Sequence, residues 1–129
     1  MVLKLKKIIF LTPTEFKQFR EYQIPEQKKY LERVRDVFLF QCFTGLRYSD
    51  VENLKKSDVK DNFIEVTTMK TNDSLKIELN QYSRGILDKY KDYKDSKGRA
   101  LPIITNQRMN EYLKELAAFR PSRLLKPKT

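Results

Sequence analysis

Thr44-Gly45-Leu46-Arg47-Tyr48-Ser49-Asp50 reads as a corner between two helices, and the rest of the chain can be placed around it. The stretch before it, Val37-Phe38-Leu39-Phe40-Gln41-Cys42-Phe43, is apolar nearly all round. A helix with that pattern must be covered on most sides, so it belongs at the centre of the domain. Gly45 falls just past its end, in the position that favours glycine. A short second helix is expected from near Arg47, with Leu46, Val51 and Leu54 facing inward. Exposed backbone N–H groups and a fixed guanidinium then converge on one spot, which suits an anion and phosphate above all. Asp50 lies one helical turn after Arg47, in reach of holding its guanidinium in place. The same residues also make an ordinary helix–turn–helix corner with a solvated arginine. Residue types alone leave both readings open.

Upstream of the corner, Thr12-Pro13-Thr14-Glu15 reads as a helix start. Thr12 would cap, Pro13 take the first helical position and Glu15 close a capping box. Phe16 and Phe19 share one face of this helix, which should end near Tyr22, with Gln23-Ile24-Pro25 as the break. A longer helix is expected over about 26–43, with Tyr30, Leu31, Val34 and Val37 at helical spacing.

Downstream, the period changes to two. Ile64, Val66 and Thr68 alternate with Phe63, Glu65 and Thr67, while Leu75, Ile77 and Leu79 alternate with Lys76 and Glu78. Turns at Asp61-Asn62 and Asn72-Asp73 would fold this stretch into a small antiparallel sheet of two or three strands. A helix over about 81–91 follows, capped by Asn80. A charged loop spans 92–99, and Leu101-Pro102-Ile103-Ile104 is extended. Asn106 opens a last helix to about Ala118, with Met109, Tyr112, Leu113 and Leu116 at helical spacing. The expected class is mainly α with a small antiparallel β-sheet (α+β). Its parts are a basic N-terminal segment (1–11), one partial domain (12–118) and a basic irregular tail (119–129).

Composition narrows the partners. Of 129 residues, 27 are Lys or Arg and 17 are Asp or Glu, giving a net charge of +10 and a pI near 9.7. Such a surplus favours polyanions, because each neutralised phosphate releases a condensed counterion. It also serves simply to keep a surface solvated. One cysteine, Cys42, excludes an internal disulfide and reads as a small buried hydrophobe. With no histidine, a zinc cluster is not expected, and neither a metal nor a cofactor is implied. No apolar run reaches the roughly 18–20 residues of a membrane helix. Met1 to Pro13 carries no export signal, so a cytoplasmic, membrane-free protein is expected.

The corner heptapeptide, followed by Val51-Glu52-Asn53-Leu54 and Ser57-Asp58-Val59, resembles the first conserved box of the tyrosine recombinases, the phage-integrase family. In that family a threonine or alanine precedes Gly-Leu-Arg, then come a small or polar residue, an acid and an apolar helix. Val34-Arg35-Asp36-Val37-Phe38-Leu39-Phe40 resembles the helix before that box. Lys70-Thr71, between two short strands, resembles the hairpin that carries the family's catalytic lysine. Leu101-Pro102 and the segment from Asn106 to Glu115 resemble what precedes the second catalytic box. The matches keep the family's order from about Leu11 to Ala118.

The resemblance implies the catalytic-domain fold, double-stranded DNA as partner, and cleavage and rejoining through a 3′-phosphotyrosyl link. It implies that Arg47 binds the scissile phosphate, that Lys70 is the general acid for the departing 5′-hydroxyl, and that Asp50 supports Arg47. Asn72-Asp73 departs from the glycine many relatives have in the lysine turn, although both residues accept a left-handed conformation. The family's second arginine, its His or Trp and its nucleophile have no counterparts in this sequence, which contains no His and no Trp. The seven tyrosines all precede the place of the nucleophile. The implied chain is thus a fragment of the domain, inactive alone, that self-associates through apolar surface left bare. Two other readings stand beside it: a non-catalytic DNA-binding or regulatory protein that keeps this fold, and a basic helical interaction module with no nucleic-acid role.

Overall fold

Proline at position 13 and the apolar pair Phe16 and Phe19 start the first helix, α1 (Pro13–Glu21), as expected, with Phe19 fully buried. The computed structural model describes residues 3–5, 9–11, 13–68 and 70–118, so the expected Thr12 cap and the basic tail lie outside the described residues. Among the described residues the chain is mostly helical, with two small two-stranded antiparallel sheets. It divides into two units, residues 1–35 with 104–129, and residues 36–103.

Strand β1 (Leu3–Leu5) pairs antiparallel with β2 (Ile9–Leu11), with Leu3 opposite Leu11 and Leu5 opposite Ile9. The helix expected over 26–43 starts late. Glu26–Lys28 is a 3₁₀ turn, and α2 begins at Tyr30 and runs to Thr44. After the extended Pro25, the first bonds are i→i+3, from Lys28 N–H to Pro25 O and from Glu32 N–H to Lys29 O, both 2.9 Å. Such tightening is common at helix entrances. The last helix, α5 (Asn106–Ala118), matches its expected range and buries Met109, Leu113 and Leu116. Thr105 starts it by accepting the Arg108 N–H on its hydroxyl at 3.2 Å. The Arg35 guanidinium donates to Tyr22 O at 2.5 Å, capping the end of α1.

The second unit is built on the apolar half of α2, where Val37, Phe38, Leu39 and Phe40 are all buried. Its last four residues, Gln41 to Thr44, are only half-buried, Cys42 among them, so the cover there is less complete than expected. Helix α3 (Tyr48–Glu52) follows the corner, and a 3₁₀ turn (Lys56–Asp58) leads to strand β3 (Phe63–Thr67). Strand β4 (Ser74–Glu78) pairs with β3 in the register Ile64 to Ile77 and Val66 to Leu75. The third strand allowed for is a single bridge between Val59 and Ile64. Alternation decides burial on β3, where Ile64 and Val66 are buried, but not on β4, where Leu75 is 43% exposed. Helix α4 (Gln81–Lys89) is capped as expected: the Asn80 side chain accepts from the N–H groups of Tyr82 and Ser83 at 2.9 and 2.8 Å. Burying Ile86 and Leu87 gives this helix its inward face.

Candidate functional site

The corner is fixed from both sides. Gly45 adopts φ +78°, a conformation that costs a side-chain-bearing residue about 1–2 kcal/mol, and its N–H closes α2 on Gln41 O at 2.8 Å. The Thr44 hydroxyl donates to Phe40 O at 2.8 Å, and the Gln41 amide reaches Leu46 O at 3.4 Å. Leu46 turns inward and is buried, whereas Arg47 is exposed. Arg47 is the extended residue that precedes α3, at φ −80° and ψ 164°.

Asp50 is buried, with 5% of its surface accessible, and its carboxylate accepts the backbone N–H of Arg47 at 3.4 Å. The contact holds the backbone of residue 47 and so fixes the point from which the guanidinium projects. The five residues of α3 form little more than one turn, so its dipole adds little to anion binding. Phe43 and Tyr82 stack with ring centroids 5.3 Å apart and planes 14° from parallel, joining the end of α2 to the start of α4. Beyond α3, Ala100 N–H donates to Leu54 O at 2.9 Å and Arg99 lies 4.0 Å from Glu52. Burial pushes the Tyr48 phenol up, the Glu52 carboxylate adds to that, and Arg99 opposes it.

Lys70 sits on a different element of the same unit, at the tip of the β3–β4 hairpin, and is exposed. The turn beneath it is well tied. Thr68 N–H donates to Asp73 O and Asn72 N–H to Thr68 O, both at 2.9 Å, and the Thr68 and Thr71 hydroxyls are 2.7 Å apart. Asn72 takes φ 60°, the left-handed conformation foreseen for this turn in place of glycine. Thus the structure brings Asp50 to Arg47, while Lys70 reaches solvent from its own hairpin.

Sequence reasoning missed a buried carboxylate. Asp36, with 6% of its surface accessible, accepts from the Tyr90 hydroxyl at 2.5 Å and pairs with Lys89 at 2.8 Å. An acid at the head of an apolar helical run was the available signal, but its partners lie more than fifty residues away in the chain. It also missed Asp95 as the organiser of the charged loop. The Asp95 carboxylate accepts from the N–H groups of Lys97 and Arg99 at 2.9 and 3.2 Å. Burial works to raise this carboxyl, but those two donors, with the charges of Arg99 and Lys55, outweigh it and hold its pKa below the ordinary value. Among the described residues, no cluster of His, Cys, Asp and Glu could hold a metal ion. No helix among them is long and apolar enough to cross a membrane.

The described elements have a tyrosine-recombinase-like fold that matches part of three solved structures. The chain is similar to lambda integrase bound to DNA, with a TM-score of 0.61 at 18% identity over 82% of this chain and 40% of that one. It is also similar to the lambda integrase tetramer bound to a Holliday junction (TM-score 0.59, 17% identity, 92% of this chain, 36% of that one). XerA recombinase gives a TM-score of 0.59 at 19% identity, over 86% of this chain and 44% of that one. The chain therefore spans about two-fifths of the length of these solved proteins. No family model and no curated protein matches the sequence.

Proposed function

We infer that this chain supplies the first arginine and the lysine of a tyrosine recombinase active site, and that its partner is duplex DNA. In this reading Arg47 grips the scissile phosphate and stabilises the charge that grows on it as the bond is exchanged. A preorganised donor of this kind is worth about 10²–10³ in rate. Lys70 acts as general acid, handing its proton to the departing 5′-hydroxyl of the DNA. Asp50 is a positioning residue that acts through the backbone of Arg47. The observation that carries the reading is an exposed arginine at a rigid Gly-Leu-Arg corner, within a fold shared with DNA-bound integrase. The net charge of +10 supports a polyanionic partner.

The reaction also needs a tyrosine nucleophile and further phosphate-binding groups, which Arg47, Lys70 and Asp50 do not supply, so in this reading the chain alone binds DNA without cutting it. The test is trapping of a covalent adduct on a nicked suicide duplex after the nucleophile-bearing portion has been supplied. The adduct should form with the native sequence and vanish in Arg47→Ala. Adduct formation that survives Arg47→Ala removes Arg47 from the mechanism. A second reading is a DNA-binding protein that keeps the fold without the chemistry and uses Arg47 as a phosphate anchor only. In that case duplex binding depends on Arg47 but no adduct forms under any complementation.

A further inference from the structure

We propose that a pocket between α4 and the 3₁₀ turn Lys56–Asp58 docks an acidic protein segment by taking in one apolar side chain. The cavity has a volume of about 220 Å³ and lies within the second unit. Neither Arg47 nor Lys70 lines it, so the inference stands independently of the function proposed above. Arg84, Leu87 and Asp88 lie on one face of α4 at the i, i+3, i+4 spacing, and Lys91 follows just beyond the helix end.

Charge and shape together select the occupant. Lys56, Arg84 and Lys91 set three cations against the single carboxylate of Asp88. Between them the walls are apolar: Val59, Leu87, Tyr90 and Ala100. Sites for drug-sized ligands are usually about 300–1,000 Å³, so this pocket is small for a dinucleotide but ample for one aliphatic or aromatic side chain. An intact duplex presents phosphates on a convex surface with no apolar group to insert, and would leave these four walls uncovered. A second copy of a chain carrying +10 meets the rim with the wrong sign. An acidic segment with one apolar anchor satisfies both rim and walls.

The walls are fixed in advance, which lowers the ordering cost of binding. The Lys56 ammonium donates to Lys91 O at 3.0 Å and also to Tyr93 O. The Arg84 guanidinium donates to Lys60 O at 2.7 Å and lies 3.4 Å from Asp88. Tyr90 is held by its hydroxyl on Asp36.

The test is fluorescence anisotropy of the full chain with a labelled short peptide, one leucine flanked by aspartate and glutamate, beside a probe in which serine replaces the leucine. The leucine probe should bind about tenfold tighter or better. Arg84→Glu and Lys91→Glu should each weaken it by roughly fivefold or more, with circular dichroism unchanged. Lys91 is exposed, so Lys91→Glu keeps the test valid should Arg84→Glu unfold the protein. Amide shifts on peptide addition should centre on Val59, Leu87 and Ala100. Equal affinity for the two probes overturns the proposal, as does a shift pattern centred on Arg47. Duplex DNA that displaces the peptide from Arg47→Ala protein assigns the pocket to a nucleic-acid surface instead and overturns it too. Dimerisation of the chain that is released by Lys91→Glu overturns it in favour of a second copy. Loss of DNA binding in Arg47→Ala with peptide binding intact leaves it standing.

Discussion

The hydroxyl of Tyr90 donates to the buried carboxylate of Asp36 at 2.5 Å, joining the apolar half of α2 to the end of α4. Lys89 adds a charged donor on the same oxygen at 2.8 Å. A carboxylate with 6% of its surface accessible depends on such partners, because an unpaired buried charge is strongly unfavourable. Tyr90→Phe removes one donor and should cost about 1–3 kcal/mol in urea unfolding of the whole chain. Lys89→Met should cost less, since the lysine side chain is 41% exposed. A Tyr90→Phe protein as stable as the parent would show that the Asp36 carboxylate is satisfied without this bond.

Gly45 carries the corner through its backbone alone. No atom lies within 4 Å of where a Cβ would stand, so a side chain meets open space and only the left-handed φ of +78° opposes it. Gly45→Ala should destabilise by about 1 kcal/mol, and Gly45→Asn by less, because asparagine tolerates this conformation better. Thermal melts of the two variants would separate this effect from a packing clash, which would make the larger asparagine worse.

Asp50 is expected to act on Arg47 through its backbone. Asp50→Ala removes the carboxylate that receives the Arg47 N–H and should cost about 1 kcal/mol, as lost helix caps do. Amide exchange at Arg47 should accelerate. Duplex DNA affinity should fall by less than in Arg47→Ala, which removes the guanidinium itself. An Asp50→Ala protein that binds DNA as weakly as Arg47→Ala would give Asp50 a direct part in the site.

In the first unit, the Glu115 carboxylate accepts from the Tyr30 hydroxyl and, at 3.1 Å, from the Lys28 ammonium. The Tyr30 bond first and the Lys28 bond after it hold the Glu115 carboxyl below its ordinary pKa, although desolvation opposes them. A depressed folded-state pKa stabilises above the ordinary glutamate value, and that contribution is lost as pH falls through the lower folded value. Unfolding titrations of the parent and Glu115→Gln should therefore converge on acidification and diverge towards neutral pH. The difference should shrink in high salt, because the cluster is partly exposed. A gap that persists below the folded pKa would assign the effect of Glu115→Gln to packing.

If phosphate contacts dominate DNA binding, the logarithm of affinity should fall linearly with the logarithm of salt, with a slope of about −0.9 per phosphate neutralised. Lys70→Ala should lower that slope by less than one full contact, since its proposed task is proton delivery and not grip. The full slope of the parent measured by filter binding fixes the number of contacts against which Lys70→Ala is read; a loss of one full contact or more would make Lys70 a phosphate-gripping residue.

Most of the secondary structure was legible because its signals are local. Pro13, Gly45, Asn80 and the left-handed Asn72 act on bonds within four residues, and the structure places each where its chemistry suits. The Gly-Leu-Arg corner belongs to this class, since its exposed arginine and buried Leu46 follow from one turn of chain. Where alternation and helical spacing were the only guides, the outcome depended on what lay opposite. Leu75 on β4 repeats the pattern of Val66 on β3, yet one is exposed and the other buried.

The sequence by itself therefore determined the order of elements, the corner that aims Arg47 and the hairpin that lifts Lys70. Tertiary structure alone decided which partners each acid meets, from buried Asp36 with Tyr90 to half-buried Glu115 with Lys28 and Tyr30. It alone also gathered Lys56, Arg84 and Lys91 around one apolar hollow. The reason is range: caps, turns and periodicity are settled among near neighbours, whereas a buried charge finds its donors only after distant segments have come together.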